Sequence, residues 1–354
     1  MHHRHFRAVT ARMNSTLGPI ASFHLRYRKR FLFVFAAALL TFEAETARAL
    51  QVAGLEGPHS FLADPGSNTY YISNVNGDGR DRDNNGFITK LSGDGEIVAF
   101  KFVAGGQGPV TLHAPKGMAI IGPVLYVADL DAVRSFDKAT GKPLGSVALP
   151  GTAGSGASPS MPVGIAADGQ GRLYVADQDA NAIYRVDTTP TLKLTPFIVD
   201  KALAGPSGVA VHPKTGNILV VSWDSGKIFE ITPDGVLTEL VSNGFFTARF
   251  QNLGGVDFDR WGNMYVADTT KGKIWRMTPN KKFQVIAEYL PSPSDVGIDR
   301  LNHLILVPYQ YANAAEVNGL EAPTVSTGDK KKRTLADYGF VEPPKGTQEG
   351  TPRK

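Results

Sequence analysis

The stretch Pro162–Asp187 reads PVGIAADGQGRLYVADQDANAIYRVD, and Leu253–Thr278 reads LGGVDFDRWGNMYVADTTKGKIWRMT. In each, a Pro- or Gly-marked turn leads into a short strand, then a Leu/Met-Tyr-Val-Ala-Asp strand, then an Ile-x-Arg-x strand. The same order recurs at Pro115–Asp137, at Pro206–Thr232 and, more degenerate, at Pro293–Asn318. The turn glycines Gly117, Gly164, Gly208 and Gly255 lie 47, 44 and 47 residues apart. A period in the forties, with alternating short strands and no helical spacing in any unit, predicts an all-β fold, a β-propeller.

Working outward, the innermost strands are expected at Gly117–Ile121, Gly164–Ala167, Gly208–Val211, Gly255–Phe258 and Asp295–Ile298, rich in small residues because they converge on an axis. A divergent first unit supplies Pro58–Leu62, Tyr70–Ser73, Phe87–Leu91 and Ile97–Val103, lengthened by an insertion at Asn74–Gly86. The last unit lacks a fourth strand, and Leu50–Ala53 is left over at the start. The sequence therefore predicts six four-stranded antiparallel blades over 50–319, with the N-terminal strand closing the last blade and removing exposed sheet edges. Asp129, Asp177 and Asp268 end successive second strands, with Asn74 and Ser222 in the equivalent slots. A residue repeated in blade after blade is expected to satisfy backbone donors of the following turn rather than to react.

Residues 1–49 read differently. Arg26, Arg28, Lys29 and Arg30 precede the apolar run Phe31–Leu40, and Ala47-Arg48-Ala49 supplies small residues at a cleavage position before Leu50. This order is that of a secretory signal peptide, too short in its apolar run for a permanent span, with Met13 as an alternative start. A periplasmic or secreted protein without an integral span after cleavage is expected. No cysteine is present, which excludes disulfides, thiolate metal sites and cysteine nucleophiles. The formal charge of +4 arises from the ends. Residues 1–49 hold eight Lys/Arg and two Asp/Glu, the tail from Leu320 holds seven and five, and the remainder is near −4. A basic footprint for nucleic acid is thus absent. The tail 320–354, rich in Pro, Gly and charge, is expected to be disordered.

The GxxYVAD…IYRV units resemble NHL-type repeats. The span from about 55 to 320 resembles the superfamily of six-bladed propellers that includes gluconolactonase and senescence marker protein. EGPHSFLADPGSNTYYISNVNG, NNGFITKLS, HAPKGMAI, YVADLDAVRSFDKATGKPLG and SPSDVGIDRLNHLILVPY resemble an exported bacterial branch of it. In the lactonases of that group, the resemblance implies, a divalent cation at the channel mouth is held by a Glu of the first blade and by Asn, Asn and Asp of later turns. Glu56 matches the first position, but Val163, Ser207 and Gly254 stand at the others. One carboxylate does not make a hard-cation site. The resemblance therefore predicts the fold, and ligand binding rather than metal-dependent lactone hydrolysis.

If the turns before the inner strands ring one end of the axis, they bring together Glu56, His59, Lys116, Ser207, Ser294 and Asp295, with His113 just upstream. Such a mixed-charge mouth suits a small polar ligand, with Lys116 and His59 facing an anion, or acid–base work if His59 pairs with Asp295. Asp81-Arg82-Asp83-Asn84-Asn85-Gly86 opens like a calcium loop, and Asp81, Asp83 and Asn85 are candidate ligands of a structural calcium, although Thr89 and Ser92 stand at its ninth and twelfth positions. No other cofactor is implied. A monomer is expected that binds a small polar molecule. The alternatives are a gluconolactonase-like hydrolase of lactones or esters using Glu56 in an altered metal shell, and a cell-envelope interaction scaffold.

Overall fold

The computed structural model describes residues 50–151, 160–242 and 249–320. The expected signal segment 1–49 and the expected tail beyond Leu320 lie outside the described residues. The strands form six separate four-stranded antiparallel sheets, five of them simple meanders of sequence-adjacent strands; three of these have β10 (Pro162–Ala167), β14 (Pro206–Val211) and β18 (Leu253–Phe258) innermost. Two more have β2 (Pro58–Asp64) and β6 (Met118–Ile121) innermost. The sixth has the order β1 (Leu50–Ala53), β24 (Ala314–Gly319), β23 (Leu304–Tyr309), β22 (Gly297–Asp299). The chain is an all-β propeller of six blades, with the N-terminal strand outermost in the last.

The closure is a full strand pairing. Leu50, Gln51, Val52 and Ala53 sit opposite Val317, Glu316, Ala315 and Ala314. Gly54, at φ +76°, then turns the chain toward blade one, a conformation that glycine adopts without a Cβ penalty. Asn313 anchors the departing chain, accepting from Leu55 N at its carbonyl (3.0 Å) and from Gly57 N at its side chain (2.8 Å).

Packing is distributed. Each of six apolar clusters draws on adjacent blades, such as Val175, Tyr184 and Leu173 of blade three with Tyr126 and Val133 of blade two. Leu306, Ala315 and Val52 of blade six likewise meet Phe61, Ile72 and Leu91 of blade one. The period-two strands are buried on both faces because each blade is sandwiched between two others, which explains near-continuous burial in β11 (Arg172–Asp177) and β19 (Met264–Asp268).

Near the axis there is no room for side chains. A Cβ on Gly117 would lie 2.6 Å from Val163 O, and one on Gly164 would lie 2.5 Å from Ser207 O. The inner strands of blades three to five begin at Pro162, Pro206 and Leu253, ahead of the expected glycines, because a first residue pairs and a register shift follows it. Proline fits there, at the first position of a strand and beside a bulge. Blade six departs the other way: β22 starts only at Gly297. Val296 N donates to Asp295 Oδ1 (2.8 Å), which diverts the main chain from the ladder. Among the described residues no helix is long and apolar enough to cross a membrane.

Candidate functional site

A cavity of about 340 Å³ runs along the propeller axis, walled by the inner strands of all six blades. At the end where those strands begin, Lys116, Val163, Ser207 and Ser294 are buried and close that end off from solvent. The lining reaches the other end at Asp64, Pro65 and Arg300, of which Pro65 and Arg300 are exposed. The mouth therefore lies at the C-terminal ends of the inner strands, opposite to the turn-bearing end that the repeat pattern suggested.

The insertion between β3 (Thr69–Asn74) and β4 (Phe87–Ser92) covers the closed end from outside. Arg80 grips Asp179 of blade three with two bonds (2.7 and 3.1 Å), Arg82 reaches Asp131 of blade two (3.0 Å), and Gly79 O accepts from Lys116 Nζ (2.9 Å). Burial holds the Lys116 ammonium down to about 8, against the pull of Asp129, Asp179 and Asp78.

The expected mouth residues separate. Glu56 leaves the channel: its carboxylate is 3.9 Å from Lys101 on the outer strand β5 (Ile97–Ala104). His113 also lies away from the cavity lining, its Nδ1 accepting from Asn84 N (3.1 Å) and its main-chain N donating to both oxygens of Asp129 (3.0 Å each). Ser207 Oγ donates to Leu253 O (2.5 Å), and Ser294 Oγ to His59 O (3.0 Å), so these hydroxyls tie blades together. Lys116 turns to the insertion. His59 and Asp295 do face the cavity.

Their surroundings are distinctive. His59 Nδ1 is buried without a hydrogen-bond partner, and burial together with Lys116 pushes the imidazole down to about 3, so it is neutral. Burial raises the Asp295 carboxyl to about 6, despite bonds from Val296 N and the Ser60 side chain, with Asp257 adding to the rise. Two further carboxylates line the cavity, which repeat-based reading did not single out. Asp257 is ion-paired with Arg300 and accepts from Ile298 N (2.9 Å). Asp64 is paired with Lys138 (2.6 Å). Their signal was present, in the extra Asp of VDFD and in the Arg of GIDR, but only assembly shows that these side chains meet across a blade boundary.

The recurrent aspartates are structural. Asp129 accepts from His113 N and Ala114 N, Asp177 from Met161 N (2.9 Å) and Ala180 N (3.2 Å), and Asp268 from Gln251 N (3.2 Å) and Lys271 N (3.0 Å). Asn74 does the same for Glu56 N (3.0 Å).

His113, Asp129 and Asp131 offer ligand atoms within 4.8 Å of one another. Their carboxylates are already held by Arg134 Nε and Nη2 (2.6 Å each) and by Arg82. Two guanidiniums balance two carboxylates, which leaves little to attract a cation. In the calcium-like loop, Thr89 is buried in β4 with its hydroxyl donating to Phe100 O (2.8 Å), Ser92 pairs with Thr69 in the sheet, and Asp83 accepts from Asn85 Nδ2 (2.5 Å). The lactonase donor set does not fit either, with Glu56 outside the channel, Val163 and Gly254 without donor side chains, and Ser207 engaged.

Comparison by structure finds the calcium-binding protein regucalcin of Agrobacterium tumefaciens str. C58 at a TM-score of 0.55 and 16% identity, over 76% of this chain and 91% of that one. A gluconolactonase-like protein matches at 0.56 and 15%, over 78% and 95%. Virginiamycin B lyase of Staphylococcus aureus matches at 0.51 and 16%, over 76% and 98%. This chain shares their six-bladed propeller fold. At such identities the likeness is one of architecture, so the resemblance read from the repeats holds for the fold. No protein family and no curated protein matches the sequence.

Proposed function

We propose that the protein is an exported propeller that binds a small polar molecule in its central channel, entering from the Arg300 side. One observation carries this reading: a cavity of about 340 Å³ on the axis is lined by His59 and by the carboxylate of Asp295, which no lysine or arginine neutralises among the described residues. Buried polar groups left without partners are costly, and they persist where a ligand completes them. Val163, Ile165 and Val209 in the walls pack against a guest's carbon atoms, while the polar lining orients it.

Hydrolysis through Glu56 draws less support, because Glu56 faces Lys101 instead of the channel. Calcium held by Asp81, Asp83 and Asn85 draws less as well, since Asp83 and Asn85 bond each other. A scaffold role would rest on exposed apolar residues such as Val98, Leu144 and Val199, which stand singly on the outer strands of three different blades.

A thermal-shift screen of sugars, amino acids and amines on wild type, His59→Ala and Asp295→Ala tests the reading. Compounds that stabilise wild type and lose their effect in both variants support it. Compounds whose effect survives both substitutions place binding elsewhere and defeat it.

A further inference from the structure

Three carboxylates line the channel, and they are not equivalent. Asp257 is neutralised by Arg300 and Asp64 by Lys138. Asp295 has hydrogen bonds from Val296 N and Ser60, but no lysine or arginine pairs with it among the described residues. Lys116, the cation at the closed end, directs its ammonium to Gly79 O and does not line the cavity. His59 adds a lone buried nitrogen without a partner. The cavity therefore holds one net negative charge in a channel of mixed polar and apolar lining, where an unpaired buried charge is costly.

We infer that the channel takes a small organic cation, an amine on a hydrocarbon body, whose ammonium group pairs with Asp295. The inference rests on the channel-binding reading above and names its ligand class. An anion would be repelled by Asp295 and would find only Arg300, which Asp257 already engages. A neutral polyol would leave the carboxylate uncompensated. A bare hard metal ion needs about six oxygen ligands, more than Asp295 and Ser60 offer. Val163, Ile165, Val209 and Val256 in the walls suit the carbon skeleton of an amine.

Calorimetric titration of the full chain with charge-matched probes tests this. The cations are benzylamine and putrescine, the neutral counterparts benzyl alcohol and 1,4-butanediol, and the anions benzoate and succinate. The amines are expected to bind at least about tenfold more tightly than their counterparts, and Asp295→Asn to remove that preference. A second measurement needs no variant: amine affinity of wild type should fall about tenfold from pH 7.5 to pH 5 as Asp295 takes up a proton. Equal or tighter binding of the neutral or anionic probes, lost on His59→Ala, overturns the cation assignment and leaves channel binding standing. Amine binding that ignores both Asp295→Asn and pH also overturns it. If none of the six probes binds, the cation assignment falls and the channel reading loses its support with it.

Discussion

Asp295 and Ser60 face each other across the seam between the last blade and the first, at the register where the other four blades carry Gly117, Gly164, Gly208 and Gly255. Four blades close the axis with bare backbone. The seam instead places a carboxylate and a hydroxyl there, which gives an otherwise repetitive channel one polar side.

The first prediction concerns that carboxylate and pH. Asp295 has its proton affinity raised in the folded state from 3.8 to about 6. A raised carboxyl favours the protonated native form, so its contribution is present below pH 3.8 and is lost as pH rises through about 6. The loss amounts to about 3 kcal/mol at full ionisation. Urea midpoints of Asp295→Asn and wild type should coincide near pH 4 and diverge by pH 7, with the variant more stable. Equal stabilities at both pH values would contradict an uncompensated charge at this position.

Lys116 offers a parallel case with the opposite sign. Its affinity is lowered to about 8 from 10.5, so the charged form strains the native state at neutral pH and stability returns as pH rises from 8 toward 10.5. Lys116→Met removes the burial cost and also the bond to Gly79 O. A net gain of about 2 kcal/mol is expected at pH 7, shrinking by pH 10. Chemical denaturation at the two pH values reads this directly.

Removal of Leu50–Gly54 should abolish soluble folding. The deletion unpairs β24 along four residues and takes Val52 out of the cluster formed with Leu306, Ala315 and Leu91. An exposed edge and a lost core residue act together. A deleted protein that remains monomeric with a cooperative melt would show that closure by β1 is dispensable.

Gly164→Ala tests the axial packing. Its Cβ would meet Ser207 O at 2.5 Å, main chain that cannot swing aside. A destabilisation of about 1–3 kcal/mol is expected from the forced displacement. The same substitution at Gly216, with φ +72° but open space around it, probes backbone strain alone and separates the two effects in a melting comparison.

The architecture was legible because it is local and repeated. Alternation in LYVAD and IYRV states which faces are buried, and five imperfect copies state how often. The leftover Leu50–Ala53 pointed to the closing strand for the same reason, since one unit lacked a partner. The aspartates ending second strands were partly readable. Asp177 and Asp268 satisfy amides of the turn that follows, Ala180 N and Lys271 N. They and Asp129 also hold the segment that enters the same blade's inner strand, at Met161 N, Gln251 N and Ala114 N.

The site was legible only in part. Asp295 stood out as a carboxylate at a position that four blades fill with glycine, and His59 as a polar residue where three blades carry Val163, Ser207 and Gly254. Glu56 stood out equally, and the fold turned it toward Lys101 on the outer strand. Chain order alone thus determined that small sheets would form, how many there would be, and which strand would seal them. Which end of the axis stays open, and which carboxylate finds a cation, depended on side chains from distant segments meeting. Arg300 neutralises Asp257 and Lys138 neutralises Asp64 only through blade-to-blade contact, and those pairings leave Asp295 with its charge unmatched.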